Sequence, residues 1–178
     1  FDALSKARQA PLTELLGPII RENIPYSVSV PLVPIPVILQ AFEIVKGMNL
    51  RHIKIIMNSD PEENDERTRC VRSLYGEDAE LSIDANGNWT VQQALANIER
   101  LRVFGISAVE QPVAPHDLEG LREIRRKTGL PVVADESLCS LQDAQRLIAA
   151  EACDVFNIKI SKCGGLLRSR EIAEYADC

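Results

Sequence analysis

Asp84, Glu110, Asp135 and Lys159 each close a short apolar run, and they recur at intervals of 26, 25 and 24 residues. A spacing this regular admits few folds. Each interval has room for one helix and one strand, and the polar residue falls at the C-terminal end of the strand every time. Strands are expected at 26–30, 52–57, 81–84, 108–110, 131–134 and 155–158. Each is short, apolar and bounded by turn residues, as in a parallel sheet covered on both faces.

Helices are expected at 37–48, 62–75, 91–104, 118–127, 141–150 and 166–176, with an earlier one at 3–16. Their boundaries carry start and stop signals. Asp60-Pro61 opens one helix, Thr90 caps the next, and Asp117 and Gly129 frame the third. Ser140 with Asp143 three residues on is an acidic variant of the capping box. Strict alternation of strand and helix makes the chain α/β. Charges on successive strand ends favour a TIM-type (β/α) barrel, which carries its chemistry on that ring. A doubly wound sheet gathers its ligands at one crevice instead. Six strands against the usual eight give an incomplete barrel, about six of eight βα units, whose two bare edges would favour a homo-oligomer.

The chain has 178 residues, 46% hydrophobic and 26% charged, enough for one packed domain. A net charge of −6 argues against a nucleic-acid partner. The longest apolar run, 24–39, is broken by Pro25, Pro31, Pro34 and Pro36, so no membrane span is expected. The chain opens on Phe1 without a signal-peptide pattern or an initiator Met, and it is expected to be a cytoplasmic protein or a fragment of one. Five cysteines without a Cys-x-x-Cys pair fit neither a disulfide framework nor a zinc ribbon, and are expected to be reduced and mostly buried.

Asp84, Glu110 and Asp135 would converge from adjacent strand ends. Three carboxylates aimed at one spot repel unless a cation lies between them. Hard oxygen ligands suit Mg²⁺, with Mn²⁺ as an alternative. Lys54 and Lys159 lie on opposite sides of that trio in a barrel. A lysine near a cation and a second ammonium such as Lys162 can serve as a base. The set points to removal of the proton α to the carboxylate of a small substrate, through an enediolate.

The segments Asp84-Ala-Asn86, Val109-Glu110-Gln111-Pro112, Ala134-Asp135-Glu136-Ser137 and Asn157-Ile-Lys159-Ile-Ser-Lys162-Cys-Gly164-Gly165 together resemble the enolase superfamily, in its muconate lactonizing and mandelate racemase-like barrel. The resemblance implies that Asp84, Glu110 and Asp135 bind Mg²⁺ and that Lys159 is the acid/base on one substrate face. It implies an isomerase or lyase of the muconate cycloisomerase, dipeptide epimerase or o-succinylbenzoate synthase type. It also implies that residues 1–22 are a linker helix from a capping domain absent here, and that 23–178 are a partial barrel. Asn86 and Gln111 are candidates to orient the carboxylates, and Glu136 for a supporting role that reaches a lysine if the backbone turns there.

One departure stands out. The family carries Lys-x-Lys on its second strand, and here the run is Lys54-Ile55-Ile56. Lys54 shares a face with Ile56 but lies one step deeper, roughly 6–7 Å along the strand. The alternative reading is therefore a catalytically weakened metal-binding relative, or a non-enzymatic barrel fragment. A third reading, an unrelated (β/α) enzyme holding an anion at Gly164-Gly165, lacks a nucleotide-binding glycine pattern around it.

Overall fold

The structure is a computed structural model that describes residues 1–17, 19 and 21–177. Six parallel strands pair in chain order: β1 (Ser27–Val30), β2 (His52–Ile56), β3 (Glu80–Asp84), β4 (Ile106–Glu110), β5 (Val132–Ala134) and β6 (Val155–Phe156). Among the described residues there are eight α-helices: α1 (Asp2–Arg8), α2 (Leu12–Leu16), α3 (Ile35–Val45), α4 (Pro61–Tyr75), α5 (Val91–Leu101), α6 (Leu118–Thr128), α7 (Leu141–Ala149) and α8 (Leu166–Ala176). From β1 onward a helix follows every strand. Sequential parallel order is the arrangement of a (β/α) barrel, of which this chain holds six units.

The two faces of the sheet differ in chemistry. Ile53 and Ile55 of β2, Leu81 and Ile83 of β3, and Val109 of β4 point to the helix layer and are buried there. They pack with Ala94, Ile98 and Leu101 of α5, Leu121 and Ile124 of α6, and Leu147 of α7. The alternate residues face the inside of the arc: Lys54 and Ile56, Ser82 and Asp84, Ala108 and Glu110. The register places Ile56 beside Asp84 and Asp84 beside Glu110.

Local chemistry sets the helix starts. The Asp60 carboxylate accepts from the N–H groups of Glu62 and Glu63, and Pro61 occupies the first turn. Thr90 and Gln93 form a reciprocal capping box at α5. Ser140 Oγ accepts from Asp143 N–H, but the Asp143 carboxylate turns to the N–H of Cys139, not to that of the cap residue. Arg72 of α4 donates to the carbonyls of Phe104, Gly76, Ala79 and Gly105, which fixes α4 against the entries to β3 and β4.

The differences from expectation are local. Residues 3–16 form two helices, because Pro11 has no N–H and disfavours a helical residue before it; Gln9 closes α1 in a left-handed conformation with φ 50°. The ends of the expected helices 37–48 and 91–104 tighten into 3₁₀ turns at Lys46–Met48 and Arg102–Phe104. The last strand pairs over two residues only. Among the described cysteines only Cys163 is buried; Cys70 and Cys153 are half-buried and Cys139 is exposed, while Cys178 lies outside the described residues. No described helix is long and apolar enough to cross a membrane.

Candidate metal centre

Asp84, Glu110 and Asp135 are 2%, 5% and 1% exposed, and each offers an oxygen within 4.8 Å of the others. Asp84 and Glu110 are the last residues of β3 and β4, paired in register. Asp135 follows the last residue of β5. The backbone N–H of Asn86 donates to Asp84 Oδ1 at 2.9 Å, and Asn86 itself has φ 48°, a turn that Asn tolerates. The next residue, Gly87, has φ 72°, and a Cβ there would meet the Val113 carbonyl at 3.3 Å.

Three lysines converge on these carboxylates. Lys54 Nζ donates to both oxygens of Glu110, at 3.0 and 2.9 Å, and pairs with Asp84 at 3.1 Å. Lys159 Nζ donates to Asp135 Oδ2, and Lys162 Nζ to Asp135 Oδ1 and to its carbonyl. Lys162 is thus part of the site and not a solvated surface lysine. The Lys159 side chain is 47% exposed, against 19% for Lys54.

The charges perturb one another. Burial disfavours the Lys54 ammonium, but the hydrogen bond to Glu110 and the charges of Glu110 and Asp84 outweigh it and hold its pKa above the usual value. Burial and then the neighbouring Asp84 charge push Glu110 up, against the pull of Lys54 and Asn157. Asp135 is held below the usual carboxylate value: burial opposes this, and the hydrogen bonds from Lys159 and Lys162 overcome it. Lys159 is raised, with burial opposing and Asp135 prevailing.

The donor set fits a hard divalent cation. All three ligand groups are carboxylates, they are buried, and their oxygens are close enough to share one ion. Asp84, Glu110, Asp135, Lys54, Lys159 and Lys162 all come together as expected. Glu136 differs: its Oε1 accepts from the Asn86 side-chain amide at 3.3 Å, so it bridges to the turn after β3 and not to a lysine. Gln111 reaches the backbone at Asp135 and Ser137, not a carboxylate. Trp89 is a core residue that anchors the rim, with Nε1 donating to the Asn58 carbonyl at 2.7 Å.

Asn157 is the residue that sequence reasoning left without a role. Its Nδ2 donates to Glu110 Oε1 at 2.7 Å. The signal was available: Asn157 stands two residues before Lys159, a spacing that would share one face if the extended run continued past β6.

The family model described as Enolase C-terminal domain-like matches residues 38–178. The chain is 34% identical over 182 residues to the hydrophobic dipeptide epimerase of Enterococcus faecalis, across 99% of this chain and 50% of that protein. The solved dipeptide epimerase of Cytophaga hutchinsonii, complexed with Mg and the dipeptide D-Ala-L-Val, superposes with a TM-score of 0.85 at 32% identity, covering 94% of this chain and 45% of that one. The 2-chloromuconate cycloisomerase of Rhodococcus opacus superposes with a TM-score of 0.91 at 29% identity, covering 99% and 48%. The chain therefore belongs to the enolase superfamily, as barrel sequence of the mandelate racemase and muconate lactonizing group. It spans about half the length of the curated relatives it matches.

Proposed function

We propose that this chain supplies the cation-binding and proton-transfer side of an enolase-superfamily isomerase or lyase acting on a small carboxylate substrate. The observation that carries the reading is the position of Asp135. It belongs to the buried carboxylate trio and is also the partner of Lys159, the more exposed lysine of the site. Asp84, Glu110 and Asp135 would hold the cation, with Mg²⁺ preferred on the donor chemistry and on the Mg-complexed relative. When bound, the cation would neutralise the trio and stabilise negative charge developing on a substrate carboxylate.

The chain's own residues divide the remaining work. Lys159 Nζ, as the free amine, takes the α-proton, and the electron pair left on carbon passes into the substrate carboxylate. Lys159 then carries the proton as an ammonium; its return to the same face restores the substrate, an epimerisation needs a proton delivered to the opposite face, and loss of a β-leaving group completes an elimination. Asn157 and Lys54 orient Glu110, and Lys162 holds the Asp135 backbone and carboxylate. The names of the relatives favour dipeptides or muconate-type acids as substrates.

Ile56 favours a second reading, a catalytically weakened metal-binding relative. It sits at the level of Asp84 on the inner face, where it presents an apolar side chain, and Lys54 below it is clamped by Glu110 and Asp84. The test is α-deuterium uptake in D₂O, read by mass spectrometry, with Mg²⁺ and a panel of dipeptides and muconate. Uptake that disappears in Lys159→Met while Mg²⁺ binding survives supports the proposal. Mg²⁺ binding without uptake from any substrate favours the weakened relative.

A further inference from the structure

We infer that Gln111 is the positioning residue that holds Asp135 in its cation-binding pose. The inference rests on the reading of Asp84, Glu110 and Asp135 as the ligands of a divalent cation. Gln111 directly follows Glu110 and is fully buried. Its backbone has φ 35°, a region that residues other than glycine enter rarely and only under local constraint.

Every hydrogen-bonding position of its amide is used. Oε1 accepts from the N–H of Asp135 at 3.1 Å and from the N–H of Ser137 at 3.0 Å. Nε2 donates to the Val113 carbonyl at 2.9 Å and to Ser137 Oγ at 2.7 Å. The orientation of the amide follows from its partners, since two are backbone donors and one is a backbone carbonyl. Ser137 Oγ passes the chain on to the Pro115 carbonyl at 2.9 Å.

The Gln111 backbone adds a further tie, because its N–H donates to the Val133 carbonyl at 2.9 Å. One residue therefore extends the β4–β5 ladder past Glu110, first with its main chain and then with its side chain. The side chain grips the backbone on both sides of Glu136, at the turn that aims Asp135 inward. Lys159 and Lys162 balance the charge of Asp135, but neither one holds its N–H. Without Oε1, the N–H groups of Asp135 and Ser137 would be left buried and unpaired, and the turn would move to satisfy them. Partners of metal ligands that act in this way typically change metal affinity by about 10–100-fold.

The test is Mg²⁺ titration calorimetry of this chain, with melting curves, for wild type, Gln111→Met and Gln111→Glu. The Met variant keeps the length of the side chain and loses all four hydrogen bonds; it is expected to weaken Mg²⁺ binding by about 10–100-fold. The Glu variant keeps an acceptor for the two N–H groups and is expected to recover most of that loss, which a merely space-filling role would not produce. Equal affinity in wild type and Gln111→Met overturns the inference, as does a Glu variant no better than the Met variant. Where the Met variant fails to fold, the comparison passes to Gln111→Glu, whose retained affinity supports the acceptor role and whose loss overturns it. Absence of saturable Mg²⁺ binding in the wild type overturns the cation reading itself.

Discussion

Lys54 Nζ lies 3.0 and 2.9 Å from the two carboxylate oxygens of Glu110, a two-pronged contact between the inner faces of β2 and β4 that passes over β3. With Lys159 and Lys162 on Asp135, it balances three buried carboxylates with three ammonium groups. A divalent cation and Lys54 thus compete for the same negative charge. Lys54→Met is expected to destabilise the cation-free chain by about 3 kcal/mol, since it leaves Glu110 buried with one charged partner fewer. The same change should tighten Mg²⁺ binding. Melting curves in EDTA and in Mg²⁺ check both effects, and unchanged curves would contradict the competition.

Ile56 occupies the inner-face position beside Asp84. Ile56→Lys would place a second amine at the level of the carboxylates, on the side away from Lys159. Deuterium uptake at the substrate α-carbon is expected to rise by about 10²-fold, the lower range of general acid–base contributions, with Mg²⁺ affinity nearly unchanged. No gain would mean that the missing lysine is not what limits the reaction.

Arg72 holds the carbonyls of Phe104, Gly76 and Ala79 at 2.7–2.9 Å from a buried position. Arg72→Met keeps the stem of the side chain and removes these donors. The expected loss is about 2–4 kcal/mol, measured by urea unfolding. A loss near zero would show that the carbonyls find other partners at no cost.

The four described cysteines should separate by reactivity. Burial, and then the Asp154 charge, push the Cys153 thiol up to about 12, and Cys163 is buried. Cys139 is exposed. Iodoacetamide at pH 8 followed by peptide mapping is expected to label Cys139 well ahead of Cys153 and Cys163, because the thiolate is the reactive form.

Asp65 gives the pH dependence a sign. The hydrogen bond from Arg69 lowers its pKa; burial opposes this, and Arg100 adds to the lowering. A depressed folded pKa means that the stabilisation is present above the unfolded value of about 3.9 and is lost as pH falls through the folded one. Asp65→Asn should therefore flatten the fall in melting temperature as the pH drops below about 4. An identical acid limb in both proteins would contradict the assignment.

Much of this architecture was legible in the sequence because strand–helix alternation and the polar strand ends repeat at one period. The expected helix 166–176 coincides with α8, and Asp84, Glu110 and Asp135 meet as the spacing implied. What the sequence hid depends on contacts between distant segments. Glu136 finds the Asn86 amide fifty residues away, and no local pattern pairs the two. Asn157 lay in plain view two residues before Lys159, but nothing local said that Glu110 would be its partner. The break at Pro11 is a local signal, but the flanking apolar pattern runs through it.

Asp84, Glu110 and Asp135 are proposed to hold one divalent cation between them. The most direct measurement is Mg²⁺ titration calorimetry of the wild-type chain beside Asp135→Ala and Glu110→Ala, with circular dichroism to verify folding. One saturable site is expected in the wild type and none in either folded variant. Binding of the same stoichiometry and strength in the variants would place the cation elsewhere and contradict this assignment.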